Sequence, residues 1–496
     1  MSLPARLGRR LRGLVVAAHR RQVSRQQGYA LLVVTVTIAV LGAVVAEFGY
    51  NARVDLEGAA NARDQLKAEY LARSGVSLSR LLIKVQQNVL DRINNQFKMD
   101  VQIGEFAPYL MKAFGGAEGG SDLAALLGIE GATIKGLGVG KGGGFDVVME
   151  PEDGKININC GGGLNAGGGG AIPGMGPQGV LLPGGGAQAQ LPTITNPKQA
   201  LYALLAAMVY PPRYNRLFET ADPDGQFTTR EELARAIIDW SDIDELRYEP
   251  LLQTGNNEDD RYEQLRDPYK PRHNFYDTVE EVQLVRGVTD DVWGSFGEMF
   301  TVYGRCKINL NAVRAEHWPI LAAVLRAAAR DRNNPVLADD TMVAALAQQL
   351  KSTAAMMGGF QNLGQLADWA RTGGAPPQQP GAPGQPPPGG SAPGQPPGGA
   401  NPLNPMNPLN PLGGGAGPTP IPNLGPVDLN QQSLQLLVTT GPREVYRIDS
   451  TGTIERGAKK VEVHLRAVFD TKKINQNTTS ADAADRVGTW VYWRMD

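Results

Sequence analysis

The hydrophobic pattern changes character once along the N-terminal part of the chain. The run from Tyr29 to Ala46 carries no charge and is about the minimum length that spans a hydrocarbon core of roughly 30 Å. Beyond it, from Leu66 to Ile93, apolar residues recur at spacings of three and four between charged ones. This pattern predicts one helix that begins fully apolar and continues as an amphipathic stalk.

Further along, two other patterns alternate with each other. Period-two alternation predicts four strands that form a half-buried antiparallel sheet, at residues 145–150, 443–449, 459–470 and 489–495. Apolar residues at helical spacing predict amphipathic helices between the first strand and the other three, at residues 196–209, 228–240, 278–287, 317–331 and 341–357. The predicted fold class is therefore α+β.

Composition limits how much of the chain packs into cores. The chain has 496 residues, of which 61 are glycine and 35 are proline, and these are concentrated in two tracts, 160–195 and 373–427. Glycine-rich and proline-rich chain gains too little burial to offset the entropy of ordering, so both tracts are predicted to be flexible loops. The formal net charge of -2, with no basic patch, argues against nucleic-acid binding.

The charge ahead of the apolar run indicates its orientation. Residues 1–27 contain seven arginines and no acidic residue, so this end is predicted to stay in the cytoplasm while the rest is exported. A secretory signal cleaved after Ala46 is an alternative, because "AVVAEF" fits a small-x-small site. The amphipathic continuation favours an anchor instead.

A basic leader, a glycine, an apolar helix and an amphipathic continuation together resemble the pilin class. The resemblance implies that a prepilin peptidase cuts between Gly28 and Tyr29 and methylates the new N-terminus. Most pilins have glutamate as the fifth mature residue, where it pairs with the terminal amine of a neighbouring subunit, but here the position is Val33. Valine fits a subunit that starts or caps a filament, because no amine above it needs neutralising.

Four separated blocks narrow the resemblance to the general secretion pathway protein K family, the minor pseudopilins of type II secretion systems. The blocks are "EFGYNARVDLEGAANARDQLKAEYLARSGVSLS", "EDGKININ", "IIDWSDIDE" with the following "NNEDDRYEQLRDPYKPRHNFYDTVEEVQLVRGVTDDVW", and "TVYGRCKINLNAV". The resemblance implies a pilin-like fold that is interrupted by an inserted helical domain. It also implies a single-pass location in the bacterial inner membrane with the C-terminal domain in the periplasm.

The same resemblance implies partners and a role. The expected partners are the minor pseudopilins I and J, the major pseudopilin and prepilin peptidase, together with secreted substrates and the secretin. The expected role is at the tip of the pseudopilus, initiating or capping its assembly in support of export across the outer membrane. A minor pilin of a type IV pilus and an uncleaved membrane-anchored periplasmic binding protein are the alternatives.

Composition, pattern and resemblance together predict eight segments. In order these are a leader (1–28), the membrane and stalk helix (29–98), the first part of the pilin-like domain (99–159), a Gly-rich insertion (160–195), the helical domain with acidic calcium loops (196–303), a return to the pilin-like domain (304–372), a Pro/Gly-rich loop (373–427) and the C-terminal strands (428–496).

Carboxylates concentrate at one place in the predicted helical domain. Asp239, Asp242 and Asp244 stand together after a helix, and Glu258 and Asp259 follow in a polar loop. Such charge repels itself unless a hard cation lies among it, and calcium takes six to eight oxygen ligands. A solvated acidic loop is the alternative. The family resemblance implies calcium, with Asp242, Asp244, Glu258 and Asp259 on the matching positions.

A second acidic loop, "TADPDGQFTTRE", resembles part of an EF-hand. With Gly225 at its sixth position, Asp222 and Asp224 occupy positions three and five, but Thr220 is a poor ligand at position one. The simpler interpretation, which we favour, is a helix cap at Thr228 whose capping box is completed by Glu231.

Cys160 and Cys306 are the only cysteines, and each adjoins one copy of a Lys-Ile-Asn-hydrophobic-Asn motif. An even number in an exported protein predicts a disulfide, with two free buried thiols as the alternative. Enzyme motifs such as HExxH and GxSxG are absent, and "GLGVGKGGG" lacks phosphate-loop spacing. The sequence therefore predicts a structural and interaction protein and no enzyme.

Overall fold

The computed structural model of the chain describes residues 4–90, 143–162, 194–222, 225–250, 256–331, 333–374, 425–472 and 488–496. Most of the predicted Gly-rich insertion, the Pro/Gly-rich loop and residues 91–142 lie outside this part.

The helices and strands are numbered in chain order. The helices are α1 (Pro4–Val85), α2 (Pro197–Val209), α3 (Asn215–Phe218), α4 (Arg230–Asp239), α5 (Asp260–Glu263), α6 (Asp290–Phe296), α7 (Trp318–Ala328), α8 (Pro335–Ala338), α9 (Asp340–Met357), α10 (Leu363–Arg371) and α11 (Gln431–Leu437). The strands are β1 (Gly143–Pro151), β2 (Ile156–Asn157), β3 (Phe300–Thr301), β4 (Ile308–Asn309), β5 (Val438–Thr439), β6 (Val445–Arg456), β7 (Lys459–Asp470) and β8 (Thr489–Met495). A short π-helix, Gln86–Leu90, extends α1.

Helix α1 has two differently packed parts. From Tyr29 to Leu56 its large apolar side chains are exposed on every side of the helix. From Ala68 onwards one face is buried, including Ala72, Val76 and Ile83. An 18-residue window of mean hydropathy 2.5, with none of it buried, makes this helix long and apolar enough to cross a membrane.

The buried face of α1 packs on a four-stranded antiparallel sheet with strand order β1-β6-β7-β8. Inward residues of the strands, including Val147, Ile448 and Phe469, form one core with the helix. Helix and sheet approach closely at Gly452 of β6. A Cβ atom on this glycine would lie 1.9 Å from the carbonyl oxygen of Ala68 and 2.7 Å from the amide nitrogen of Ala72.

Polar contacts fix the same helix against the far end of the sheet. Asp64 is buried and pairs with Arg456 of β6 at 3.0 Å, and its neighbour Arg63 also contacts it at 3.0 Å. Lys459 of β7 donates to the side chain of Asn61 at 2.6 Å. The β6–β7 hairpin therefore holds α1 just where its buried face begins.

The remaining described helices form a second, larger core. It contains buried residues of α2, α4, α6, α7, α9, α10 and α11. The residues 304–372 were predicted to return to the pilin-like domain, but the buried side chains of α7, α9 and α10 belong to this helical core. Their alanine-rich and leucine-rich pattern predicts burial without indicating the partner surface.

The two Lys-Ile-Asn motifs adopt the same local structure. Ile156–Asn157 pairs in parallel with Phe300–Thr301, and Ile308–Asn309 pairs in parallel with Val438–Thr439. The strands that contain Asn157 and Asn309 each lead into a 3-10 helix. The side-chain oxygen of that asparagine accepts a hydrogen bond from the backbone amide two residues later, Asn159 or Asn311. The repeated motif in the sequence is thus a repeated strand-to-helix junction.

The second asparagine of each motif connects distant backbone segments. Asn159 accepts from the amide of Tyr276 at 2.7 Å and donates to that residue's carbonyl at 3.1 Å. Asn311 makes the same pair of bonds to Phe360, at 2.9 and 3.0 Å. A partly buried amide that is bonded on both sides specifies one position of the backbone it contacts.

The predicted fold class, α+β with a long N-terminal helix and an antiparallel sheet, is confirmed.

Candidate calcium site in the helical core

A pair of chain segments brings the predicted acidic residues together. Asp239 is the last residue of α4, and Asp242 and Asp244 lie in the turn that follows it. An isolated antiparallel bridge between Leu246 and Asn257 then folds the chain back on itself. The amide of Glu258 donates to the carbonyl of Glu245 at 3.1 Å, so the second acidic group lies beside the first.

Four of these five carboxylates are buried. Asp239, Asp242, Glu258 and Asp259 are 3%, 2%, 1% and 7% exposed, whereas Asp244 is exposed. Buried carboxylates are strongly disfavoured unless they are paired or coordinate a cation. The cluster therefore needs positive charge or hydrogen-bond donors close by.

Two lysines and one histidine contact these carboxylates. Lys198, from the first turn of α2, pairs with one oxygen of Asp242. His273 contacts Glu258 through Nδ1 at 2.5 Å and Asp259 through Nε2 at 2.9 Å, and it has a left-handed backbone with φ of 50°. Lys270, which is largely exposed, donates to Asp259 at 3.0 Å.

The pKa shifts differ between the carboxylates of the cluster. Burial, together with the neighbouring negative carboxylates, raises the pKa of Glu258 to about 10. Burial also raises the pKa of Asp239 to about 7, although a hydrogen bond from the backbone amide of Tyr248 opposes the shift. Burial raises the pKa of Asp242 to about 6, and here the hydrogen bond from Lys198 opposes the shift. The hydrogen bond from Lys270 lowers the pKa of Asp259.

The donor set suits a hard cation in its chemistry. Oε1 of Glu258 has only His273 beside it, whereas Oε2 of Glu258 and Oδ1 of Asp242 are buried and lack a hydrogen-bond partner. Such orphaned oxygens are rare in native proteins and call for an explanation such as a bound ion. In the described part of the chain, however, no three acidic, histidine or cysteine side chains converge on one point that could hold a metal. Ion binding at this cluster therefore requires the carboxylates to reorient.

The second acidic loop has a different local role. Asp222 accepts from the amide of Gln226 at 2.8 Å and lies 3.6 Å from Arg286, while Asp224 lies outside the described residues. The predicted cap at Thr228 and Glu231 is wrong by one residue. Thr229 and Glu232 form the capping box of α4, because the sequence doubles both residue types.

The structure joins the sulfur atoms of Cys160 and Cys306. This bond connects the 3-10 helix after β2 to the chain just before β4, so it links the two Lys-Ile-Asn motifs. The Gly-rich insertion and the first half of the helical core lie between the two cysteines in sequence.

The predicted processing positions lie within α1. Gly28 is part of the continuous helix, and Tyr29 and Val33 are 75% and 57% exposed. Thr35 and Thr37, near Val33, satisfy their hydroxyl groups by donating to the carbonyls of Leu31 and Val33 at 2.6 and 2.7 Å. The apolar part of the helix thus presents no unpaired hydroxyl at these two positions, as a lipid environment requires.

Sequence reasoning did not find the basic partners of the cluster. Lys198 precedes Asp242 by 44 residues and lies in another helix. His273 follows Asp259 by 14 residues, in a segment without regular periodicity. For Lys198 one local signal existed: a lysine in the first turn of a helix opposes the helix dipole, so a specific partner is expected.

The architecture defines an α+β protein in which a helix of membrane-spanning length continues onto an antiparallel sheet. No family model matches the chain, and no curated protein matches it. Among solved structures, it is similar to the crystal structure of the GspK-GspI-GspJ complex from the type 2 secretion system of enterotoxigenic Escherichia coli. The match has 12% sequence identity and a TM-score of 0.36, and it covers 71% of this chain and 80% of that chain.

Proposed function

We propose that this chain is a minor pseudopilin of a type II secretion system, located at the tip of the pseudopilus. One observation carries the proposal: α1 exposes apolar side chains on every side from Tyr29 to Ala46 and buries one face on a sheet from Ala68 onwards. An all-round apolar helix needs lipid or other apolar helices around it. A pseudopilin uses such a segment first as a membrane span and then as a filament core.

The tip position is supported by Val33 and by the helical core. A charge at the fifth mature position would need a partner amine, because an unpaired charge in the membrane is costly. Valine removes that need. The helical core, which extends from α2 to α11, adds bulk that a subunit repeating within a filament would have to accommodate.

Partners and location follow from the same proposal. Residues 1–28 form the cytoplasmic leader, prepilin peptidase removes it, the apolar part of α1 spans the inner membrane, and the C-terminal domain lies in the periplasm. Minor pseudopilins I and J join this chain through their N-terminal helices, and the major pseudopilin extends the filament below. Secreted substrates and the secretin meet the tip. This role is structural, with no catalytic step.

Co-purification tests the proposal directly. When the tagged full chain is expressed with the minor pseudopilins I and J of its own system, we expect all three to elute together from detergent. Val33→Glu is expected to lower recovery of I and J at least tenfold, since an uncompensated membrane charge costs several kcal/mol and each 1.4 kcal/mol is tenfold. Val33→Leu is the matched control and should retain both. Failure of the unaltered chain to bind I or J would reject the pseudopilin role.

We further propose that calcium binds at the acidic cluster, through Asp242, Asp244, Glu258 and Asp259, with Asp239 as a weaker candidate. The orphaned oxygens of Glu258 and Asp242 support this proposal. Calcium would add to the positive charge that Lys198 and Lys270 bring to this cluster. Asp222 and Asp224 remain a weaker second candidate.

Chelation of calcium is expected to lower the melting temperature of the full chain, because binding to the folded state alone adds stability by mass action. An excess of 100-fold over the dissociation constant stabilises by about 2.7 kcal/mol. Asp242→Ala together with Asp244→Ala should abolish the response to chelator in differential scanning fluorimetry. An equal response in the double variant would place the ion elsewhere.

A further inference from the structure

Lys198 occupies an unusual position for a basic residue. It lies in the first turn of α2, where the helix dipole disfavours a cation. Its ammonium pairs with Oδ2 of buried Asp242 and lies 5.0 Å from the ring centre of Tyr248. The contact of Lys198 with the acidic cluster therefore outweighs the unfavourable interaction of its charge with the helix dipole.

The ammonium neutralises only part of the negative charge around it. Oδ1 of Asp242 is buried and has no hydrogen-bond partner, and Oε2 of Glu258 also lacks one. A lysine donates three hydrogen bonds from one compact charge and accepts none, so it cannot itself be a metal ligand. For calcium to use Asp242, the ammonium must leave that carboxylate.

The geometry allows such a departure. The Lys198 side chain is 22% exposed, and its four-carbon stem is flexible, so the ammonium can turn into solvent without moving α2. Lys270 offers a contrast at the same cluster, because its side chain is 69% exposed and its contact with Asp259 is a surface ion pair. Exposed pairs of this kind contribute little to stability.

Resting on the calcium site proposed above, we propose that Lys198 is an internal cation that holds Asp242 in the ion-free protein and is displaced by calcium. Lys198 thereby lowers the calcium affinity of the site and keeps the ion-free cluster folded. It is a positioning residue that competes with the ion for one carboxylate.

The test compares Lys198→Met with Lys270→Met in the full chain in detergent, using calcium alone as the probe. Calorimetric titration is expected to show about tenfold tighter calcium binding for Lys198→Met, since loss of one competing interaction of 1.4 kcal/mol is tenfold in affinity. Lys270→Met should stay within about twofold of the unaltered chain, as a surface pair predicts. In chelator, Lys198→Met should melt several degrees lower, and calcium should restore its melting temperature.

Unchanged or weaker calcium binding by Lys198→Met, with normal binding by the unaltered chain, would overturn the role of Lys198 and leave the calcium site standing. An unchanged melting temperature in chelator would overturn it as well. Absence of calcium binding in the unaltered chain and in both variants would reject the calcium site and this inference together.

Discussion

Gly452→Ala is expected to destabilise the sheet and its helix by about 3 kcal/mol or more, at or above the upper end of the usual cost of overpacking. The new Cβ atom would lie 1.9 Å from the Ala68 carbonyl oxygen and 2.7 Å from the Ala72 amide nitrogen. Both are backbone atoms of α1, so no side chain can rotate to make room. The helix must instead move off β6, which disrupts the core that contains Ala72 and Ile448.

Gly58→Ala is the matched control for that variant. Gly58 also lies on α1, but a Cβ atom there would meet nothing within 4 Å. Alanine favours a helix over glycine by about 1 kcal/mol, so this change should be neutral or stabilising. Urea denaturation of the full chain in detergent, followed by tryptophan fluorescence, measures both variants. Equal stability of Gly452→Ala and the unaltered chain would show that α1 does not pack on β6 as described.

Removal of the disulfide is the second change with a large expected effect. Cys160 and Cys306 are 146 residues apart, so their bond restricts the unfolded chain strongly. Losing such a native crosslink typically costs about 2–5 kcal/mol. Cys160→Ser with Cys306→Ser should lower the melting temperature of the helical core by several degrees or more.

Reductant supplies the control for this experiment. It should lower the melting temperature of the unaltered chain to that of the double serine variant and leave the variant itself unchanged. If the double variant melts at the same temperature as the oxidised unaltered chain, the disulfide contributes nothing to stability. Non-reducing electrophoresis verifies the oxidation state of each sample.

The sequence predicted the elements better than their packing. The apolar run and the alternating segments identified α1 and the four strands of the main sheet because each pattern has a distinct period. The contact of Gly452 with Ala68 had no such signal, since it depends on where a helix crosses a strand. Similarly, the pattern in α7 indicated a buried helix but could not say which core would bury it.

The sequence predicted the carboxylates of the acidic cluster but not the basic side chains that contact them. Runs of carboxylates are visible in any sequence, so Asp242 and Glu258 could be singled out as candidates. Their internal partners, Lys198 and His273, come from elsewhere in the chain and are brought in only by tertiary folding. The capping box moved from Thr228 to Thr229 because either threonine satisfies the local motif, and the fold selects one.

The two ends of the predicted Pro/Gly-rich loop are held at one point of the fold, which the sequence did not predict. The carbonyl of Ala370 accepts from the amide of Gly373 at 3.1 Å and from that of Val427 at 2.9 Å. The described chain thus leaves α10 and returns to it at the same point. Composition located the tract, whereas the shared anchor could be seen only in the structure.

The central claim is that α1 belongs to a cleaved pilin-class subunit, and the mass of the mature N-terminus tests it most directly. Peptide mass spectrometry of the chain purified from its native membrane is predicted to give an N-terminal peptide that begins at methylated Tyr29. A mature chain that still contains Arg25 would contradict the account and favour an uncleaved membrane anchor. A chain that begins at Glu47 would contradict it equally and identify a secretory signal.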